Sequence, residues 1–426
     1  MRIRFFPLLL PLLLCSEERL EIALSTQSQV KSLYIYAMPS ESDNWEELRN
    51  ILAFDIGQGG QIPVAPFSKE QEKNYPPFQK ETWNAFRYLL VMQEEEAALR
   101  LSLIDVEKEQ IKSYAPISLT GDLSLDRRAL HLFSDRMHQE LFGAQGIASL
   151  RILYTEKRKN PGKKGLPWIS EVWISDYDGA NAKQLTHTGG YCLSPGVFRE
   201  GEFFYVFHDE GQSKIYRASL ARPDEKKMLF AMRGNQALPA IAQTKDRIAF
   251  IADLTGRPDL FFHTLDATGN VVGKARQLYS APRSTQASPT FSPDGKKIAF
   301  VSDKDGTPRI YLLELAKLEM EPRLLTKKYR DNSAPCWSPD GTKIAYAAKV
   351  DGVRQICLFD CVAETETVLT DGAEVKENPS WAPDSFHLLY NTEDGPSELY
   401  LLTLDGSSPV QISRGTGQKR FGAWYF

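Results

Sequence analysis

Histidines, cysteines and carboxylates are the side chains most able to do chemistry, and here they are scattered. The chain holds six histidines, and His187, His208, His263 and His387 fall at non-equivalent places in their surroundings. The expected positions are the end of one strand, a turn, and two different strands. A metal or acid–base centre needs such groups to converge, so no catalytic residue, metal or cofactor is expected. No Gly-x-Ser-x-Gly elbow occurs. Gly57-Gln58-Gly59-Gly60 looks like a phosphate loop, but it follows a helical pattern instead of opening one, which reads as a helix end and turn. Repeated Asp-Gly pairs, such as Asp294-Gly295 and Asp340-Gly341, have the residue types of tight turns, and a metal cluster is not needed to explain them. A basic run, Lys157-Arg158-Lys159 with Lys163-Lys164, offers either a solvated hairpin or a site for anionic partners.

The elements that carry these residues repeat. Ser288-Pro-Thr-Phe-Ser-Pro-Asp-Gly295, Ala334-Pro-Cys-Trp-Ser-Pro-Asp-Gly341 and Asn378-Pro-Ser-Trp-Ala-Pro-Asp-Ser385 match one another. Each precedes a β-rich run: residues 297–301, 343–346 and 387–390. Weaker copies begin at Pro195 and Pro239, so the anchoring prolines lie 44 to 50 residues apart, and Gly422 takes the proline's place 43 residues after Pro379. A period of about 40–50 residues is that of a four-stranded propeller blade, and a lone blade cannot bury both faces, so neighbours must stack. Phe291, Trp337 and Trp381 are expected between blades. The first unit has only three strands, at 151–154, 171–175 and 183–186, while residues 420–426 form an innermost strand with no blade to follow. Joining the two closes a six-bladed β-propeller and removes its open edges.

Residues 17–146 do not repeat and read as a small α/β domain, with the propeller at 147–426. Strands are expected at 20–23, 33–37, 62–66, 88–93, 98–106 and 110–117. One helix follows Asp43, with Glu46 completing a capping box; a second covers about 81–85. A third runs from 125 to 141, with Leu130, Phe133, Met137 and Leu141 on one face.

Residues 1–16 read as a cleaved signal peptide: Arg2 and Arg4 precede ten residues of Phe, Leu and Pro, too few to span a bilayer. Cleavage near Cys15 or Ser16 delivers the chain to the periplasm. Leu12-Leu13-Leu14-Cys15 approximates a lipobox, but Leu14 is large where a small residue is wanted. A net charge of −4 with 25% charged residues argues against nucleic acid. Cys192, Cys336, Cys357 and Cys361 permit disulfides in an exported protein. A Cys336–Cys357 bridge and free buried thiols are both open.

The repeats, the ring closure and the small α/β domain together resemble the TolB family, the exported propellers of the Tol–Pal envelope system. The junction Leu141-Phe142-Gly143, the run into 150–154, and Ser175-Asp-Tyr-Asp-Gly179 carry the resemblance furthest. It implies binding, not catalysis: a monomeric scaffold linking a Pal-like peptidoglycan-associated lipoprotein to a TolA-like inner-membrane protein, with roles in outer-membrane integrity and cell division. A propeller hydrolase or lyase is the alternative. Carried over to this chain, the Pal-type contacts are three loops: Gly234, Asn235 and Gln236; Arg283, Ser284, Thr285, Gln286 and Ala287; and Arg330, Asp331, Asn332 and Ser333. Asn235 stands where the family often has histidine. The TolA-type segment is the mature N-terminus, Glu17, Glu18, Arg19, Leu20, Glu21 and Ile22.

Overall fold

The computed structural model describes residues 31–68, 71, 80–160, 167–209 and 211–426. The signal segment, the strand expected at 20–23, the TolA-type segment and Lys163-Lys164 lie outside the described residues.

The N-terminal part is a five-stranded sheet backed by helices. Strand Ser32–Ala37 runs parallel to Phe86–Glu95. That strand pairs antiparallel with Ala98–Asp105, which in turn pairs with both Gln110–Ser113 and Ile117–Ser118. The single strand expected at 110–117 is thus split in two, because Pro116 cannot donate to the ladder. The strand expected at 62–66 contributes only the bridge Leu33↔Val64, between Pro63 and Pro66, which lack amide hydrogens.

Helix α1 spans Trp45–Gln58, and its N-cap is Asn44, without a side-chain cap. The expected Asp43–Glu46 box does not form, since Glu46 is then one position too early to reach back. Helix α2, Lys80–Trp83, is a single turn. Helix α3 spans Leu123–Phe142. Asp122 caps it by accepting from the Ser124 amide, and Gly143 ends it in the left-handed conformation at φ 69°. Its Leu130, Phe133 and Met137 are buried against Leu48, Ile51 and Leu52 of α1 and against the sheet, with Leu141 half-buried at the edge. Each such fully buried side chain contributes about 1.5–3 kcal/mol of transfer free energy.

The rest is a β-propeller, mostly strand. Four sheets have four antiparallel strands each, with innermost strands Gln236–Ile241, Gln286–Phe291, Arg330–Trp337 and Lys376–Trp381. An eight-stranded sheet joins both ends of the propeller chain. In it Gln418–Tyr425 pairs antiparallel with Arg151–Lys159, which pairs with Trp168–Asp176. A single parallel step, Ser170↔Tyr191, connects this half to the strands that start with Tyr191–Arg199.

Six innermost strands share one irregularity. The residue before each anchor takes a left-handed backbone: Ser194, Leu238, Ser288, Ala334, Asn378 and Phe421, at φ 45–56°. The pairing register shifts at or beside the same places, as a β-bulge requires. The bulges turn the anchors inward, where Pro195, Pro239, Pro289, Pro335, Pro379 and Gly422 line a largely apolar central channel of about 450 Å³. Phe291 and Trp381 are buried between neighbouring sheets and Trp337 is half-buried there.

Candidate functional site

The three loops singled out in sequence precede or begin innermost strands, and the structure divides their residues into two groups. Gln236, Ser284, Gln286 and Asn332 are buried, so these four do not present their side chains on the loop surface. They serve as polar latches inside the propeller. Gln236 Oε1 accepts from the Ile215 amide at 3.3 Å, and Gln286 Oε1 accepts from Ser302 Oγ at 2.9 Å. Ser284 Oγ donates to the Ala281 carbonyl, and Thr326 Oγ1 donates to Asn332 Oδ1 at 2.5 Å. A polar group that turns inward must find a partner: Gln236, Gln286 and Asn332 meet theirs on or beside a neighbouring strand, and Ser284 within its own loop.

Asn235, Arg283, Thr285 and Arg330 are exposed; Gly234, Ala287, Asp331 and Ser333 are half-buried. Carboxylates from the next turn hold these loops. Asp253 accepts from the Asn235 amide and side chain at 2.6 and 2.7 Å. Asp303 does the same for Thr285 at 2.7 and 2.9 Å, and in the equivalent loop before Lys376–Trp381 Asp394 accepts from the Val375 amide at 3.1 Å. In the third loop an arginine replaces this device. Arg354 reaches Asp331 and Ser333, both at 2.7 Å, and Glu377 at 3.1 Å. Burial pushes the Glu377 carboxyl up, against the lowering pull of Ser333 and Arg354. Thr285, Asp303, Pro308, Asp331, Ser333 and Arg354 line a groove of about 230 Å³. The rim is thus a set of stiffened loops presenting Arg283 and Arg330, which make no ion pair among the described residues.

A second cluster, which the sequence reading missed, joins the two parts of the molecule. Asp55 of α1, His131 of α3 and Tyr177 of the propeller are all buried. His131 Nδ1 lies 2.9 and 3.0 Å from the two Asp55 oxygens, and Tyr177 donates to Asp55 Oδ1 at 2.8 Å. Arg127 pairs with Asp178, and Asn181 donates to Asp176. Burial lowers the His131 pKa, but its hydrogen bond to Asp55 and the charges of Asp55, Asp178 and Asp176 outweigh that and raise it. Desolvation by burial raises Tyr177 strongly. His131, Asp176 and Asp178 approach one another closely enough to suggest a cation site, but Arg127 and Asn181 already occupy the carboxylates. The protein's own guanidinium supplies the positive charge there.

The other five histidines stand apart, His138 meeting the Ala144 carbonyl at 3.0 Å. His187 meets Asp224 and His208 meets Ser213, both on the surface. His263 lies tilted against Phe230, and His387 bridges Asp384 and the Gln58 carbonyl. His208 lies in the strand Glu202–Asp209, not in the turn after it. Cys192, Cys336, Cys357 and Cys361 are free thiols. Cys336 and Cys357 belong to different core clusters, so no bridge joins them. In the basic run, Lys157 lies over Trp168 and Arg158 over Trp173.

A family model described as the TolB beta propeller domain matches residues 138–425. A protein of Protochlamydia amoebophila named Protein TolB homolog is 40% identical over 386 residues, covering 85% of this chain and 82% of that protein. The protein of the same name in Chlamydia trachomatis is 35% identical over 375 residues, covering 84% and 80%. The crystal structure of TolB from Acinetobacter baumannii aligns at a TM-score of 0.75 with 23% identity, covering 92% of this chain and 96% of that one. At that identity the likeness speaks for the fold alone, whereas the family model and the chlamydial relatives carry the assignment: the chain belongs to the TolB family.

Proposed function

We propose that this chain is an exported, non-enzymatic scaffold of a Tol–Pal type system, released into the periplasm by cleavage of residues 1–16. Residues 17–146 form the α/β domain. Residues 147–426 form a six-bladed ring, counted by treating the eight-stranded sheet as two blades that meet at Ser170↔Tyr191, with Gln418–Tyr425 closing the first blade. The monomer docks a Pal-like lipoprotein on the rim through Asn235, Arg283, Thr285 and Arg330, with Gly234, Ala287, Asp331 and Ser333 at the margins. The buried Gln236, Ser284, Gln286 and Asn332 hold those loops from behind. Residues Glu17 to Ile22 engage a TolA-like inner-membrane protein, so that the chain links the two membranes for outer-membrane integrity and division.

The observation that carries this reading is the stiffened rim. Asp253 and Asp303 clamp the very loops that the family resemblance points to, and pre-ordered loops lower the entropy cost of association. A rim of this kind suits a partner burying roughly 800 Å² per side. The test is a pull-down from envelope extracts with the mature chain and with a variant lacking residues 17–25. The full chain is expected to retain both partners and the truncated chain only the Pal-like one. Equal recovery of the TolA-like partner by both would overturn the N-terminal assignment.

A further inference from the structure

The N-terminal domain sits across the seam where the two ends of the propeller chain meet. Phe54 of α1 packs into the seam's core with Ile152, Leu389, Ile412 and Trp424. At one side of the seam Tyr177 bonds Asp55, Arg127 pairs with Asp178, and Ser124 donates to Asn181. At the other, His387 Nε2 meets the carbonyl of Gln58, the last residue of α1, at 2.6 Å. Next to α1, Gly60 lies against Phe386 and Thr403 of the last sheet. One small domain therefore grips both the first and the last units of the ring.

We propose that the N-terminal domain is a clasp on the propeller's closing seam, and that protonation of His131 sets its catch. His131 stands between two carboxylates from different domains. Its Nδ1 faces Asp55, while its Nε2 has no hydrogen-bond partner and lies 3.9 Å from Asp178 Oδ2. The charged and titratable groups that face it are Asp55 from α1, Arg127 from its own helix, and Asp176, Tyr177 and Asp178 from the propeller turn; Asp135 of α3 faces Tyr177. Three carboxylates against one guanidinium leave the pocket negative unless the imidazole is charged; burial pushes the Asp55 carboxyl up, and the charged imidazole beside it pulls it back down. A protonated ring places a cation between Asp55 and Asp178 and draws the domains together. A neutral ring leaves the buried Asp55 on one side of the joint without a cation beside it, and leaves the half-buried Asp178 on the other side with Arg127 alone.

The sign follows from linkage. The folded-state pKa of His131 is raised, so its stabilisation is fully present below the ordinary histidine value and is lost as pH rises through the folded value. Each unit by which docking lifts that pKa corresponds to about tenfold in the docking equilibrium. The clasp concerns the chain's own two domains, and its failure would leave the rim reading untouched.

The experiment follows the His131 ring by NMR and amide exchange over α1, residues 176–181 and residues 418–425 in the mature chain from about pH 5 to 9, a range that brackets an ordinary histidine. The expected result is a His131 midpoint above the ordinary value. Above that midpoint, protection at the joint should fall by about tenfold or more. In H131Q, protection should be independent of pH. In D178N the His131 midpoint should drop, which keeps the test decisive if H131Q fails to fold. A wild-type midpoint at or below the ordinary value, an unshifted midpoint in D178N, or joint protection in wild type that does not change across that midpoint would overturn the proposal.

Discussion

Replacing Gly179 with alanine would put a methyl carbon 1.6 Å from the Ile412 carbonyl oxygen. Gly179 ends the turn after Trp168–Asp176 at φ 85°, and Ile412 follows the outer strand of the last sheet, so the contact joins the eight-stranded sheet to the last sheet. Two penalties add. The left-handed backbone costs an alanine about 1–2 kcal/mol. The obstructing atom is backbone and cannot rotate away, so the sheets must part, at about 1–3 kcal/mol for a forced shift in a packed interior. Gly406→Ala separates the two. Gly406 has nearly the same backbone, φ 83°, with no atom within 4 Å of the added carbon. Urea titration followed by tryptophan fluorescence should therefore give a loss of about 2–5 kcal/mol for Gly179→Ala and about 1–2 kcal/mol for Gly406→Ala. Equal losses would refute the claim that close backbone approach between these two sheets, and not turn geometry, demands the glycine.

Other outcomes follow from the buried polar groups. Tyr177→Phe removes a donor from the buried Asp55 and should destabilise by about 1–3 kcal/mol in the same titration. Lys419 and Glu398 form a buried pair at 3.2 Å, with Ser413 Oγ donating to the same glutamate. Lys419→Met leaves that carboxylate unpaired and should cost about 3–5 kcal/mol, while the double variant with Glu398→Gln should recover part of it. Burial pushes the thiols of Cys192 and Cys357 up to about 12, and those of Cys336 and Cys361 up to about 11. The four should react slowly with an aromatic disulfide reagent in the native protein and fully in denaturant; a missing pair in denaturant would reveal a disulfide. Asp303→Asn weakens the clamp on Thr285, so amide exchange there should quicken by about tenfold, corresponding to one charged hydrogen bond.

What could be read from the sequence was what repeats. The strand-forming runs at 297–301, 343–346 and 387–390 and the Pro-Asp-Gly turns report local propensities, and the structure places strands and turns there. Pro116 and Pro63 broke strands that apolar pattern alone had extended. At the rim, Gln286 and Thr285 are neighbours in sequence, yet one is buried and one exposed, because the chain passes between them from the loop into the innermost strand Gln286–Phe291. The inward one must find a polar partner on another strand, Ser302, and local reading cannot supply it. The domain joint escaped for a plainer reason. His131 and Asp55 are 76 positions apart, and Asp55 and Tyr177 are 122 apart. A signal did exist: Asp126, His131 and Ser134 are polar residues buried on α3 beside the apolar Leu130, Phe133 and Met137. Buried polar residues on such a face announce a partner to be found.

The central claim is that the stiffened rim, through Arg283 and Arg330, holds a Pal-like lipoprotein. Calorimetric titration of the soluble domain of such a lipoprotein into residues 17–426 and into the same chain with Arg283→Ala/Arg330→Ala tests it most directly. Both arginines are exposed, so the variant should fold and melt as the parent does. Affinity is expected to fall by about tenfold or more, the loss of one to two interface contacts at about 1.4 kcal/mol per decade. Wild-type affinity in the double variant would contradict it.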